Sequence, residues 1–305
     1  MLRFIAKRVF ETIPVLLIVA TLTFFMMKKA PGGPFDTEKA TTPEIKAQLE
    51  AQYGLNKPVF QQYLDYMGQL VRGDLGPSFK YAGWSVTELL ADAFPVSLEL
   101  GCYALAFALT FGLIAGTIAS LKKNTAGDYI PMSLATIGIC LPTFVTGPLL
   151  ILVFGITLHW FNTSGWDFPS DRVLPGITLG LYYTAYVARL TRAGMLEILN
   201  QDFIRTARAK GASEWRVVWR HSLRGGLLSV VSFIGPAISG IVTGSLVVET
   251  IFSIPGLGRF FVMAGFNRDY TMVMGTVLLY AVLIVVMNLL VDIVQVWMNP
   301  KLRFE

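Results

Sequence analysis

Six stretches of about twenty or more predominantly apolar residues recur along this chain, and that is the length an α-helix needs to cross about 30 Å of hydrocarbon. They run from about Val9 to Met27, Pro95 to Ser120, Pro131 to Trp160, Val173 to Leu190, Gly225 to Phe252 and Met272 to Met298. Lipid offers no partner for backbone N–H and C=O groups, so each stretch is restricted to a helix or to a strand of a closed barrel. The in-and-out alternation of a barrel strand is missing, which leaves helix. The third and fifth stretches exceed the length of a straight span and contain Pro142, Pro148 and Pro236, so a kink or tilt is expected in each. The expected fold is an all-α integral membrane protein with six transmembrane helices.

Orientation follows from where the cations fall. The net charge of +5 would admit a nucleic-acid partner in a soluble protein, but with 54% of the residues apolar and 15% charged the partner is a lipid bilayer, and no nucleic acid is expected. Arg3, Lys7 and Arg8 precede the first stretch; Lys122 and Lys123 separate the second and third; Arg189, at the end of the fourth, joins Arg192, Arg205, Arg208, Lys210, Arg216, Arg220 and Arg224 between the fourth and fifth; Lys301 and Arg303 follow the sixth. The two short alternate loops hold only Arg172, Arg259 and Arg268. The positive-inside rule therefore makes both the N- and the C-terminus cytoplasmic. A secretory signal would resemble the first stretch, but Met26-Met27-Lys28-Lys29 is no small-residue cleavage site, and the stretch is kept as a span.

The loop between spans one and two, about Lys28 to Phe94, is read as a small structured external cap. Thr42 to Tyr53 and Val59 to Leu70 suit helices, the second with Tyr63, Met67 and Leu70 on one face, and Gly- and Pro-rich turns follow each. The chain thus divides into 1–94, an N-terminal span with its external cap, and 95–305, a five-span core with a cytoplasmic loop at about 191–224. Within the spans Gly112 and Gly116, Gly176 and Gly180, and Gly240 and Gly244 stand four apart, a spacing that lets helix backbones approach. Cys102 and Cys140 lie in spans without a secreted spacing pattern, which predicts a packing role and no disulfide.

Catalysis finds no constellation. The two histidines, His159 near the external end of the third stretch and His221 in the basic loop, are far apart in topology; neither HExxH nor GxSxG occurs, so no catalytic, metal or cofactor residue is expected. Glu11, Glu99, Glu249 and Asp292 are the carboxylates in or near spans, and each sits near a span end where water or a cation can reach it. As proton or sodium carriers, Glu99, Glu249 and Asp292 would support a stand-alone secondary transporter, but the midplane charges and inverted repeats of that class are missing. No Gly-Lys dipeptide exists, so a P-loop does not either, and any ATP must bind another chain.

The loop at 191–224 is where another chain would act. Asp202 is expected to cap a helix through Lys210, Gly211 to stop it, and Ser213 to cap a second helix carrying Trp215, Val218 and Trp219. Phe203, Ile204, Ala207, Trp215 and Trp219 are more apolar surface than a solvated loop requires, which points to a docked partner.

Phe203-Ile204-Arg205-Thr206-Ala207-Arg208-Ala209-Lys210-Gly211 resembles the EAA loop of ABC importer permeases. Arg205 stands at the usual Glu, Thr206 and Ala207 at the two Ala positions and Gly211 at the Gly, while Leu223-Arg224 replaces the later Leu-Pro. Ala30-Pro31-Gly32, Tyr53-Gly54-Leu55-Asn56-Lys57-Pro58, Gly73-Asp74-Leu75-Gly76-Pro77-Ser78, Pro95-Val96-Ser97-Leu98-Glu99-Leu100, Glu249 to Gly258 and Asn267-Arg268-Asp269-Tyr270 extend the likeness to the peptide and nickel permease family nearly end to end. The resemblance implies an oligopeptide importer of a bacterial cytoplasmic membrane, with dipeptide or nickel transport as alternatives. It also implies four partner chains and an external peptide-binding protein among them: a homologous second permease and two cytoplasmic ATPases that hold the ATP and Mg. Phe203, Arg205, Thr206, Ala207, Arg208 and Gly211 would then be the ATPase-docking residues.

Overall fold

The computed structural model describes residues 2–35 and 43–298, and these residues are helical with only an isolated bridge between Pro77 and Ser85. The helices are α1 (Leu2–Lys29), α2 (Pro43–Gln52), α3 (Val59–Val71), α4 (Val86–Leu121), α5 (Ala126–Cys140), α6 (Thr143–Leu150), α7 (Val173–Leu199), α8 (Asp202–Ala209), α9 (Glu214–Arg216), α10 (Leu223–Gly226), α11 (Leu228–Ile251), α12 (Leu257–Asn267) and α13 (Tyr270–Met298). A wide-turned π segment, Ile151–Thr157, prolongs α6, a second, Val217–Ser222, joins α9 to α10, and a 3₁₀ turn, Pro169–Arg172, leads into α7.

By length and apolarity, Phe10–Lys29, Val86–Leu121 and Tyr270–Val294 each suffice to cross a membrane, and Ala126–Cys140 with Thr143–Thr157 makes a fourth candidate that is bent by 108°. The kink expected in the third stretch is thus a full corner. Leu141, ahead of Pro142, is extended (φ −96°, ψ 117°), as the proline ring requires of its predecessor. Lys301 and Arg303, used above to orient the chain, lie outside the described residues, as do the side chains of Arg3, Lys7 and Arg8.

Span two begins at Val86, well before Pro95, because Ser85 and Glu88 form a reciprocal cap. The Ser85 N–H donates to Glu88 Oε2 at 3.0 Å and the Glu88 N–H to Ser85 Oγ at 3.1 Å, so two otherwise orphaned donors at the helix start are satisfied. Pro95 is simply interior to the helix.

The chain forms two compact units. The first comprises 1–97 and 255–285. Its core holds Val86, Leu90, Ala93, Leu257, Ala264, Met272 and Val273 in one cluster and Ala20, Phe24, Tyr66, Met274 and Leu278 in another, so helix α3 is packed onto α1. Phe24 stacks on Tyr66 at 5.6 Å, and burial with Tyr63 nearby pushes the Tyr66 phenol up to about 12. Phe35, Tyr53 and Phe79 form a triangle with ring centroids 5.1 to 5.7 Å apart, which fastens the end of α2 to the loop after α3. At its centre of polarity is Asp269, 1% exposed. Its carboxylate accepts from Ser78 Oγ, from the backbone N–H groups of Phe79, Lys80 and Met272, and from Thr271 Oγ1.

The second unit, 98–254 and 286–305, is built around α7, which packs on α5, α6, α10 and α11. Lipid tails are as apolar as leucine, so what holds spans together is close atomic fit. The glycines supply it. A Cβ added at Gly112 would lie 2.7 Å from the Val187 side chain, at Gly116 2.5 Å from the Ala188 carbonyl oxygen, at Gly176 3.1 Å from Tyr103 Cβ, at Gly180 2.7 Å from the Ala104 carbonyl oxygen, and at Gly240 2.5 Å from the Tyr183 hydroxyl. The side-chain surroundings of 244 lie outside the described residues, so Gly244 is without a structural account. Cys102 and Cys140 are free and exposed on this chain, contrary to the packing role expected of them, because both fall on the outer face of their helices.

Candidate functional site

The loop that leaves α7 is held by local chemistry. Asn200 Nδ2 donates back to the Leu196 carbonyl at 2.8 Å, and α8 starts at Asp202, with Gln201 at the position before it. The expected capping role of Asp202 is therefore not observed. Its charge instead sits in the first turn, where helix N–H groups favour an anion, and Thr206 Oγ1 donates to its carbonyl. Ser213 does precede α9, but its side chain makes no capping bond.

Gly211 ends α8 in the way its type permits. At φ +80° it occupies the left-handed region, so the Gly211 N–H reaches the Arg208 carbonyl at 2.9 Å and the Ala212 N–H the Ala207 carbonyl at 3.1 Å. Across that reversal Arg208 clamps Glu214 bidentately, Nε to Oε1 at 2.8 Å and Nη2 to Oε2 at 3.1 Å. The guanidinium hydrogen bonds hold the Glu214 carboxyl below its ordinary range. Arg205 reaches Asp202 only at 3.5 Å, with both side chains largely in solvent.

The side chains of this loop sort into two sets. Ile204, Val217, Val218 and Ser222 are buried. Phe203 at 50%, Trp215 at 72% and Trp219 at 55% are exposed, the two indoles 5.1 Å apart. Solvent is a poor environment for three large rings, and Arg205, Lys210, Arg216 and Arg220 of the same loop are exposed as well. Among the expected docking residues, Phe203, Arg205 and Gly211 are on the open side, whereas Arg208 is engaged with Glu214.

The loop is also seated directly on the core. A Cβ at Gly194 of α7 would stand 2.1 Å from the Gly226 carbonyl oxygen of α10, so two backbones touch with no side chain between them. The four-residue glycine spacing could not reveal this pair, which lies 32 positions apart along the chain. A second fastening was also missed: Arg192 Nε and Nη2 donate to Asp128 Oδ1 and Oδ2 at 2.6 and 2.7 Å, with Asp128 2% exposed. Of the span carboxylates, Glu99 accepts from Arg172 Nε at 3.0 Å and Trp166 Nε1 at 3.1 Å, which fits the structural reading of that residue. Glu249 is fully buried, Asp292 half-buried and Glu11 exposed. His159 follows the π segment Ile151–Thr157, whereas His221 lies within the other, Val217–Ser222.

Known proteins share both the sequence and the fold. A family described as binding-protein-dependent transport system inner membrane component matches residues 108–304, and its N-terminal counterpart matches 1–101. The oligopeptide transport system permease protein OppB of Escherichia coli K12 is 47% identical over 306 residues, and that of Haemophilus influenzae 45%, each covering 100% of both chains. The dipeptide transport system permease protein DppB of Bacillus subtilis is 41% identical over 305 residues, covering 100% of this chain and 99% of its own. Among solved structures, the inward-facing MetNI methionine ABC transporter superposes with a TM-score of 0.60 at 19% identity, over 69% of this chain and 96% of that one. An amino acid ABC transporter solved with histidines gives 0.54 at 17% identity, over 68% and 94%. With the fold and the end-to-end sequence match in agreement, this chain belongs to the family of binding-protein-dependent transport system inner membrane components.

Proposed function

We propose that this chain is the permease subunit of an ATP-driven ABC importer, forming half of a translocation pathway for oligopeptides in a bacterial cytoplasmic membrane. The observation that carries the reading is the 45 to 47% identity to OppB proteins along the full length. In this reading the chain crosses the membrane six times with both termini cytoplasmic, the α2–α3 region forms an external cap, and the chain performs no chemistry of its own. ATP and Mg belong to two cytoplasmic ATPases, OppD-like and OppF-like. An OppC-like permease forms the other half of the pathway, and an OppA-like binding protein delivers peptide from outside.

Coupling runs through Phe203, Arg205, Thr206, Ala207, Arg208 and Gly211. Phe203 and the two indoles enter an ATPase groove, and the Arg208 clamp with the Gly211 reversal keeps them in register. The close contacts at Gly112, Gly116, Gly176, Gly180 and Gly240, and the Gly194 and Gly226 seam, make the core follow the loop as a body, the behaviour a packed two-state interface needs. Gly244 is assigned the same packing role on its spacing with Gly240 alone.

Gly211→Pro tests the reading, since proline cannot adopt φ +80° and removes the N–H that bonds Arg208. Loss of the ATPases on co-purification, or ATP hydrolysis without peptide uptake, is expected. Normal assembly with normal uptake of a tetrapeptide would falsify the coupling assignment. The 41% identity to DppB keeps dipeptide transport as a second reading, for which uptake of dipeptides in preference to tetrapeptides is the deciding result.

A further inference from the structure

Helix α7 is 27 residues long, enough for a span, yet it is not apolar enough to count among the candidate spans. Part of the reason lies on one face. Tyr182, Tyr186 and Arg189 follow one another at spacings of four and three, so they stack along a single side of the helix over about 10 Å. Tyr182 is 39% exposed, Tyr186 half-buried and Arg189 exposed. On the opposite side Tyr183, Thr184, Val187, Ala188 and Thr191 are buried within the bundle.

A phenol or guanidinium near a membrane boundary is often only an anchor at the headgroup level, with its polar end turned to the interface. Three contacts separate this stripe from that arrangement. The Tyr182 and Tyr186 hydroxyls are 3.2 Å apart, the two polar ends turned toward each other along the helix. The Tyr186 ring stacks on Phe233 of α11 at 5.4 Å and 21°, which sets it in the groove between two helices. Arg189 lies over that same ring at 5.7 Å and has no carboxylate partner among the described residues. On α11, Ser229, one turn before Phe233, is exposed, as is Ser232, whose hydroxyl donates to the Leu228 carbonyl at 3.1 Å. Phenols, serines and an arginine without a counter-charge form a costly surface against hydrocarbon and a suitable one against water and a polar solute.

We propose that this groove of α7 and α11 is a peptide-contacting wall of the translocation pathway, with Arg189 receiving the C-terminal carboxylate and the Tyr182 and Tyr186 hydroxyls the main-chain carbonyls. This rests on the oligopeptide permease reading above. The chemistry fits a carrier of varied sequences: every linear peptide has a terminal carboxylate and a run of carbonyls whatever its side chains, so a site built from one guanidinium and hydroxyl donors binds the class without selecting within it. The position also links cargo to drive, because Arg189 lies on the helix that ends at Leu199, just before α8 begins at Asp202.

The test uses the full importer with its binding protein in proteoliposomes, and compares uptake of tetra-alanine with that of its C-terminal amide. Arg189→Gln is expected to lower the acid-to-amide uptake ratio about ten-fold relative to the natural protein, the worth of one charge-assisted hydrogen bond, and Arg189→Lys to restore part of it. The same binding protein serves every arm, so its own preference cancels. An unchanged ratio overturns the proposal, as does loss of the second permease from the purified Arg189→Gln complex, which would mean that a subunit's carboxylate is what the arginine meets.

A second measurement does not depend on the amide. With Cys102 and Cys140 replaced by Ala, Tyr182→Cys is expected to react with a water-soluble maleimide, more slowly while tetra-alanine is being transported. No reaction overturns the proposal by showing the face sealed in lipid or protein. If the natural protein takes up neither peptide, the oligopeptide reading itself fails, an outcome distinct from uptake that ignores Arg189.

Discussion

Ser78 and Asp269, 191 positions apart in the chain, share a buried hydrogen bond within the first unit. Asp269 is the acceptor for Ser78 and for four further donors, so a single carboxylate organises the Ser78 to Tyr81 turn and the start of α13. Asp269→Asn replaces one acceptor oxygen by a donor group facing donors. The expected cost is about 3 kcal/mol, against about 1 kcal/mol for Ser78→Ala, which leaves the carboxylate its other partners. Thermal unfolding of the purified complex, with protease sensitivity of the 73–86 segment, checks both; equal losses in the two variants would contradict the central role of the carboxylate.

Glycine substitutions should separate by geometry and not by spacing. Gly194→Ala drives a methyl group into the Gly226 carbonyl and is expected to cost about 2 kcal/mol or more and to impair uptake. Gly265→Ala in α12 meets nothing within 4 Å and should be neutral or stabilising by about 0.5 kcal/mol from helix propensity. Melting temperatures of the two variants, measured side by side, decide it.

Asp128 and Arg192 form a bidentate pair between α5 and α7. Removing one partner leaves the other with a poorly hydrated charge, but the Arg192 side chain is 29% exposed and water recovers part of the loss. Asp128→Asn is therefore expected to cost about 2 kcal/mol, and Asp128→Asn with Arg192→Met less than that single change. A double variant worse than the single would show that the residues contribute separately.

The Arg208 and Glu214 clamp carries a pH signature. Folding lowers the Glu214 carboxyl from its ordinary value of 4.5, so its contribution is complete above that value and fades as pH falls through the lower folded value. The pair is open to solvent and worth only about 0.5 kcal/mol. Hydrogen exchange at the Gly211 and Ala212 amides should be steady above pH 4.5, after correction for the intrinsic exchange rate, and the protection should begin to fall as the pH drops below that value. Arg208→Gln should remove that acid-side change; its persistence would place the sensitivity elsewhere.

How far the sequence foretold this molecule depends on the range of each interaction. The runs that became α1, α4 and α13 were plain because hydrocarbon imposes a length on them, and α2 and α3 because apolar spacing and turn residues bound them. Pro142 announced a break but not a corner of 108°, since a proline fixes its own neighbours and leaves the exit angle to packing. Ser85-x-x-Glu88 was a legible cap that apolarity, read alone, passed over in favour of Pro95. In the loop after α7 Gly211 was legible because only one conformation ends the helix there, whereas the partner of Arg208 was not, Asp202 and Glu214 being equally near in sequence. Asp269 with Ser78, and Asp128 with Arg192, could not be read from one chain: nothing local in either residue names a partner so distant.

The Gly194 and Gly226 contact has a consequence for how this gene can vary. Any single-base change of a glycine codon that alters the residue adds a side chain, and at 2.1 Å from a main-chain oxygen even the methyl of alanine has nowhere to go. The neighbouring surface residues can drift with whatever cargo or ATPase a lineage adopts. This seam offers no stepwise route to a different residue, so transporters that diverge in what they carry should still share the same two bare backbones where the loop meets the core.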